Sequence, residues 1–226
     1  MKKKLNPESY RSEATMVIVE YIDHMGTDED VCDAARVSMN KSADLFTVNQ
    51  NYKLIEYLAK HNHWSPFAHV TVKMRFRAPI FIARQLAKHQ VGFAWNEVSR
   101  RYVKNEPEFW WTNQFRNSAE NIKQGSSSEI NRSADDFASS LRFINNYTRT
   151  LYENAVSSGI CPEQARAILP QSMMTEWIWT GSLYGWSRMY ALRADPHTQK
   201  ETQEYAHRVG EICSKYFPIS WSALTS

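Results

Sequence analysis

Apolar positions along the first third of the chain alternate between two periods. Residues 17–22 (VIVEYI) form a short apolar run that reads as a strand, bounded by His24-Met25-Gly26-Thr27. Over 28–39, Val31, Ala34, Ala35 and Val37 fall on one side of a helix that Asp28 can cap. Helical spacing returns over 53–61 with Leu54, Ile55, Tyr57 and Leu58. Ser65-Pro66 is a helix-start signal, because proline lacks an N–H that a first turn would leave unpaired anyway. The clearest strand is 70–77, where Val70, Val72, Met74 and Phe76 alternate with Thr71, Lys73, Arg75 and Arg77. One face is built for burial and the other is cationic or polar. Pro79 then opens a helix running to about Lys88, with Arg84 and Lys88 one turn apart.

The second half reads as mostly helical. Residues 125–133 (GSSSEINRS) have the composition of a flexible surface loop. A long helix covers 135–157, and Pro162 begins another that carries Ala165, Arg166, Ile168 and Leu169. Residues 175–192 are apolar and aromatic on most sides and read as a buried helix. Asp195-Pro196 caps a final helix through Lys215. The sum is an α+β fold, a small antiparallel sheet packed with a largely helical second half. It reads as a single domain over 1–226, with 1–14 as a polar lead-in.

Composition narrows the class. The 226 residues carry 27 Lys plus Arg against 24 Asp plus Glu, too mild an excess to imply nucleic-acid binding. No apolar run approaches the roughly 20 residues needed to span a bilayer, so neither a membrane nor a nucleic acid is an expected partner. Cys32, Cys161 and Cys213 are widely spaced and odd in number, which suits a reducing cytoplasm without a disulfide framework or thiolate zinc site. His61, His63, His69 and His89 lack the HExxH spacing of a metal helix, and no metal is expected. His63 stands apart from the others, since it precedes a turn where its side chain could face a ligand. No GxGxxG, Walker or GxSxG pattern occurs.

Candidate chemistry concentrates at 84–103 (RQLAKHQVGFAWNEVSRRYV), which crowds cations, amides and hydroxyls behind a helix. Together with Arg166 and Arg193, each set among apolar residues where an unpaired guanidinium is costly, it suggests a phosphate and a polar base gripped from several sides. Each arginine taken singly could equally form a structural ion pair.

These residues resemble the flavin-dependent thymidylate synthases. The family signature is an Arg-His-Arg triplet, seven residues, then Ser; here Lys88-His89-Gln90 is followed by eight residues and Ser99-Arg100-Arg101-Tyr102. Further landmarks are Ala34-Ala35-Arg36-Val37-Ser38, the 63–69 turn (HWSPFAH), 78–85 (APIFIARQ) and Leu192-Arg193-Ala194-Asp195. They span about 16–215 in the family's order.

The resemblance implies a homotetramer with FAD at subunit junctions. By position, Ser38, His63, Ser65, His89 and Asn96 would contact FAD. Lys88 and Gln90 stand where the family has arginines, Glu97 adjoins them, and Arg188 would supply the charge that Gln90 lacks. For dUMP the resemblance implies Gln85, Lys88, Glu97, Val98, Ser99 and Arg100, with Arg101 and Arg166 about the phosphate. Arg193 would act catalytically beside the uracil, stabilising charge developing at its N3–C4 edge. The implied reaction is reductive methylation of dUMP to dTMP, with 5,10-methylenetetrahydrofolate as carbon donor and NADPH as source of electrons. Two other readings stay open: a diverged enzyme installing another group such as hydroxymethyl, and a non-enzymatic nucleotide- or RNA-binding module using its Trp faces for stacking.

Overall fold

The computed structural model describes residues 17–119 and 125–226. The lead-in at 1–14 lies outside them. Four strands, β1 (Ile18–Met25), β2 (Thr71–Pro79), β3 (Phe93–Glu97) and β4 (Met174–Ser182), make one antiparallel sheet in the order β1-β2-β4-β3. The helices are α1 (Asp28–Arg36), α2 (Val48–Lys60), α3 (Ser65–Ala68), α4 (Ile80–Leu86), α5 (Asp135–Ser157), α6 (Pro162–Ala165), α7 (Leu183–Arg193), α8 (Lys200–Tyr216) and α9 (Pro218–Thr225). The fold is α+β, as the sequence predicts.

Period-two alternation explains why β2 forms. Val72, Met74 and Phe76 are fully buried, while Lys73, Arg75 and Arg77 turn to the other face. Opposite them on β4 stand Trp177 and Trp179, and the same face receives Trp186 from α7. Phe76 stacks 5.2 Å from Trp177, and Trp179 meets Trp186 edge-on at 4.9 Å. The Trp186 indole N–H donates to the Val72 carbonyl at 3.1 Å, tying α7 to the sheet.

Several expectations need correction. Residues 175–192 are not one helix: β4 ends at Ser182, whose hydroxyl accepts the Gly185 N–H at 3.1 Å and starts α7. A segment rich in apolar and aromatic residues reads equally well as a central strand or a buried helix, and here Thr175, Ile178 and Thr180 favour the extended form. β3 falls inside the crowded 84–103 segment, which is not among the strands expected from the sequence. It is an edge strand of five residues, of which Ala94, Asn96 and Glu97 are exposed. α4 stops at Leu86 rather than Lys88. Thr27, not Asp28, caps α1, through a capping box with Asp30. Asp28 instead accepts the backbone N–H groups of Ile219 and Ser220 at 3.0 and 2.9 Å. Asp195-Pro196 precedes a turn, α8 begins at Lys200, and α9 follows it.

Phe93 of β3 lies against Gly181 of β4, its register partner. A Cβ on Gly181 would come within 2.3 Å of the Phe93 ring and 3.0 Å of Trp186. The ring has little room to retreat, because it packs 4.7 Å from Trp179 and 4.8 Å from Trp186. Gly181→Ala is therefore expected to destabilise the protein by about 1–3 kcal/mol, the usual cost of overpacking. Thermal unfolding measures this; a Tm equal to wild type would show that Phe93 moves freely.

Candidate functional site

Between α4 and β3 the chain turns through Lys88, His89, Gln90 and Val91 to Gly92, whose φ of +81° suits glycine. The Gly92 carbonyl accepts the Ser182 N–H at 2.9 Å, and a Cβ at Gly92 would meet the Ser182 hydroxyl at 2.8 Å. This crossing of turn and helix start forms one wall of a cleft of about 530 Å³. Lys88, His89, Gln90, Ser182, Tyr184 and Arg188 line it, with Trp64 and Phe93 as flat apolar surfaces. Trp64, Tyr184 and Arg188 also border a neighbouring cleft of about 600 Å³ that contains His63. Lys88 and Arg188 form no ion pair among the described residues. The first cleft thus joins the triplet to Arg188, 98 positions from Gln90 in sequence (188 minus 90).

Behind the triplet, Arg193 at the end of α7 donates from Nε to His89 Nε2 at 2.9 Å and from Nη2 to the Gln85 carbonyl at 3.3 Å. A guanidinium only donates, so His89 Nε2 must be a lone pair and the ring proton sits on Nδ1. Burial first, then the positive charges of Arg193 and Arg188, push the imidazole pKa down to about 4. Burial also lowers the pKa of Arg193.

A third cleft, of about 420 Å³, lies past the other end of β3 and is lined by Arg77, Glu97, Val98, Arg100, Arg166 and Thr175 among others. Glu97 is held at both oxygens, by the Thr175 hydroxyl at 2.7 Å and the Trp95 indole N–H at 3.3 Å. Arg100 donates to Asn105, and Arg166 Nε to the Glu163 carbonyl at 3.3 Å. Arg77 is already paired with Glu108 at 2.6 Å.

The structure therefore sorts the sequence candidates into groups. Lys88, His89, Gln90 and Arg188 share one cleft, with His63 next door. Glu97, Val98, Arg100 and Arg166 share another. Gln85 and Arg193 touch each other, and Arg193 touches His89. Ser38, Ser65, Asn96, Ser99 and Arg101 line none of these three clefts; Ser99 accepts the Arg101 backbone N–H at 3.3 Å, and Arg101 lies exposed over Tyr102. Sequence reasoning missed Trp64, Gly92, Thr175 and Thr202. Gly92 before an alternating run was the one available signal, whereas Thr175 was concealed by its assignment to a helix. Among the described residues no group of three or more His, Cys, Asp or Glu is placed to hold a metal, and no helix is long and apolar enough to cross a membrane.

Comparison with known proteins places this arrangement in context. A family model described as thymidylate synthase complementing protein matches residues 20–219. A flavin-dependent thymidylate synthase of Thermus thermophilus is 34% identical over 205 residues, covering 91% of this chain and 74% of the relative. One from Kosmotoga olearia is 35% identical over 209 residues, covering 91% and 88%. The crystal structure of a UMP/dUMP methylase from Streptomyces cacaoi, bound with 5-Br dUMP, superposes with a TM-score of 0.84 at 28% identity, over 94% of this chain and 96% of that one. The same methylase bound with 5-Br UMP gives 0.82 at 25% identity, over 93% and 94%.

A neutral, half-buried His89 links stability to pH. Its folded pKa lies below the ordinary 6.5, so the unfolded chain takes up its proton first as pH falls. The stabilisation is complete above about pH 6.5 and is lost progressively toward pH 4. Comparing Tm against pH for wild type and His89→Gln tests this: the variant is expected to lose less stability across that window, and parallel curves would contradict the assignment.

Proposed function

This chain belongs to the flavin-dependent thymidylate synthase family, and we propose that it carries out the reductive methylation of dUMP to dTMP. The observation that carries the reading is the Arg193–His89 contact, which joins a cleft suited to a flavin to a guanidinium suited to a uracil. We infer that 5,10-methylenetetrahydrofolate donates the carbon and NADPH the electrons. Bound flavin would supply hydride transfer.

The residues of the first cleft fit FAD. Trp64, Tyr184 and Phe93 offer flat faces, Lys88 and Arg188 offer cations without a carboxylate partner among the described residues, and Gly92 keeps the backbone bare. Those cations suit a pyrophosphate. His89 would hold the cofactor through Nδ1–H, with Gln90, His63, Ser38, Ser65 and Asn96 completing the grip. For dUMP, Arg100, Arg101 and Arg166 would neutralise the phosphate, while Gln85, Lys88, Glu97, Val98 and Ser99 position sugar and base. Arg193 would stabilise charge that develops on the uracil ring without transferring a proton.

Within one chain, Glu97, Arg100 and Arg166 line a cleft that neither Gln85 nor Arg193 borders. A homotetramer with sites at subunit junctions would unite them. The outer side of α5 supports such assembly, since Phe143, Ile144 and Tyr147 are exposed there and Phe143 stacks on Tyr147 at 6.1 Å. Binding of both 5-Br dUMP and 5-Br UMP by the Streptomyces methylase makes UMP the competing substrate to run beside dUMP.

Incubating the yellow holoenzyme with NADPH, methylenetetrahydrofolate and either nucleotide, then weighing the product, tests the reading. A methyl on dUMP is expected; a hydroxymethyl product, or none from a flavin-loaded protein, would overturn it. Arg188→Ala is expected to weaken FAD retention by about tenfold or more through loss of a charge-assisted contact, measured by flavin release on dilution; full retention would remove Arg188 from the site. Arg193→Lys keeps the charge and loses the planar fork, so kcat should fall about 100-fold with a smaller change in dUMP affinity. Equal losses in both would make Arg193 a binding group only.

A further inference from the structure

Thr202 lies in the first turn of α8 and is completely buried. A threonine in a helix ordinarily turns its hydroxyl back on the preceding carbonyls. This one donates instead to Oε1 of Gln85, 117 positions away. An amide side chain has one accepting end and one donating end, and which end meets a ligand depends on what holds the other. With Oε1 taken by Thr202, the Gln85 amide nitrogen is left without a partner among the described residues, yet it is not one of the buried unpaired atoms and so remains open to solvent.

The same holds along the rest of the connection. Arg193 spends Nε on His89 and Nη2 on the Gln85 carbonyl, and Nη1 remains. His89 spends Nε2 as acceptor and, on the reading above, its Nδ1–H on the cofactor. The nitrogens left free by this Thr202–Gln85–Arg193 chain, Gln85 Nε2 and Arg193 Nη1, are therefore donors. Such a surface accepts a carbonyl and opposes an amino group, because two donors face to face leave both desolvated and unpaired. Uracil carries a carbonyl at C4 where cytosine carries an amino group.

We propose that Thr202 is a positioning residue: by holding the Gln85 oxygen it presents the amide nitrogen to the bound base and makes the site select uracil over cytosine. The inference rests on the reading that Gln85 and Arg193 hold dUMP. Thr202→Val preserves shape and removes the hydroxyl, freeing the Gln85 amide to turn over and offer an acceptor. Thr202→Ser restores the hydroxyl.

The test is calorimetric titration of the purified, flavin-loaded full chain with dUMP and with dCMP. In Thr202→Val the ratio of the dCMP Kd to the dUMP Kd is expected to narrow about tenfold, the scale of one hydrogen bond, and Thr202→Ser should bring it back. A purely structural role would lower Tm and leave that ratio alone, so an unchanged ratio overturns the proposal. If Thr202→Val does not fold, Gln85→Glu replaces the donor by an acceptor and should narrow the same ratio; an unchanged ratio there also overturns it. Wild type that binds no dUMP sinks the underlying reading as well, whereas normal dUMP binding with an unchanged ratio sinks this inference alone.

Discussion

The packing of Phe93 over Gly181 is the constraint on which the rest depends. β4 can carry Trp177 and Trp179 on one face only because the next inward position has no side chain and admits a ring from β3. That ring closes the aromatic layer of Phe76, Trp177, Trp179 and Trp186 and sets the register of the edge strand. Ser182 follows immediately and begins α7, so the strand end, the helix start and the Gly92 turn meet at one place. The layer has a cost: the indole nitrogens of Trp177 and Trp179 are buried without partners among the described residues, each worth about 1–3 kcal/mol. Dispersion and apolar burial across four large rings must exceed it.

Electrostatics at the clefts depends on where the carboxylates are used. Glu176, Glu108, Glu106 and Glu201 are paired with Arg75, Arg77, Arg149 and Arg116. Lys88, Arg188 and Arg193 are left with no such partner among the described residues. A chain with a net charge of only +3 thereby presents locally uncompensated cations beside flat aromatic walls. Burial first, and then the positive charge of Arg193 2.9 Å away, hold His89 neutral. The imidazole is thus kept as a fixed donor instead of a titrating group near neutral pH.

What was legible in the sequence followed from periodicity and local chemistry. β2 could be read from strict alternation, and the 135–157 helix from its spacing and acidic first turn. The crowded segment from Arg84 to Val103 marked the site, and its motifs marked the family, because these are properties of neighbouring residues. β4 was not legible. Its bulky aromatic residues, Trp177 and Trp179, suit a buried helix as well as a strand, and only pairing with β2 and β3 distinguishes the two. β3 was hidden for the opposite reason: an edge strand of mixed, half-exposed residues owes its form to its partner's hydrogen bonds more than to its own side chains.

The same division runs through the site. The sequence by itself determined which donors and cations are present, since charge and hydrogen-bonding capacity belong to each side chain. Tertiary structure alone decided how they are used. It set Arg188 and Gln90 in the lining of one cleft, fixed the His89 tautomer through Arg193, gave Glu97 to Thr175 and Trp95, and gave the Gln85 oxygen to Thr202. Nearly all of these are contacts between residues far apart in the chain, and hydrogen bonds of that kind depend on ångström-scale distances that no local pattern encodes.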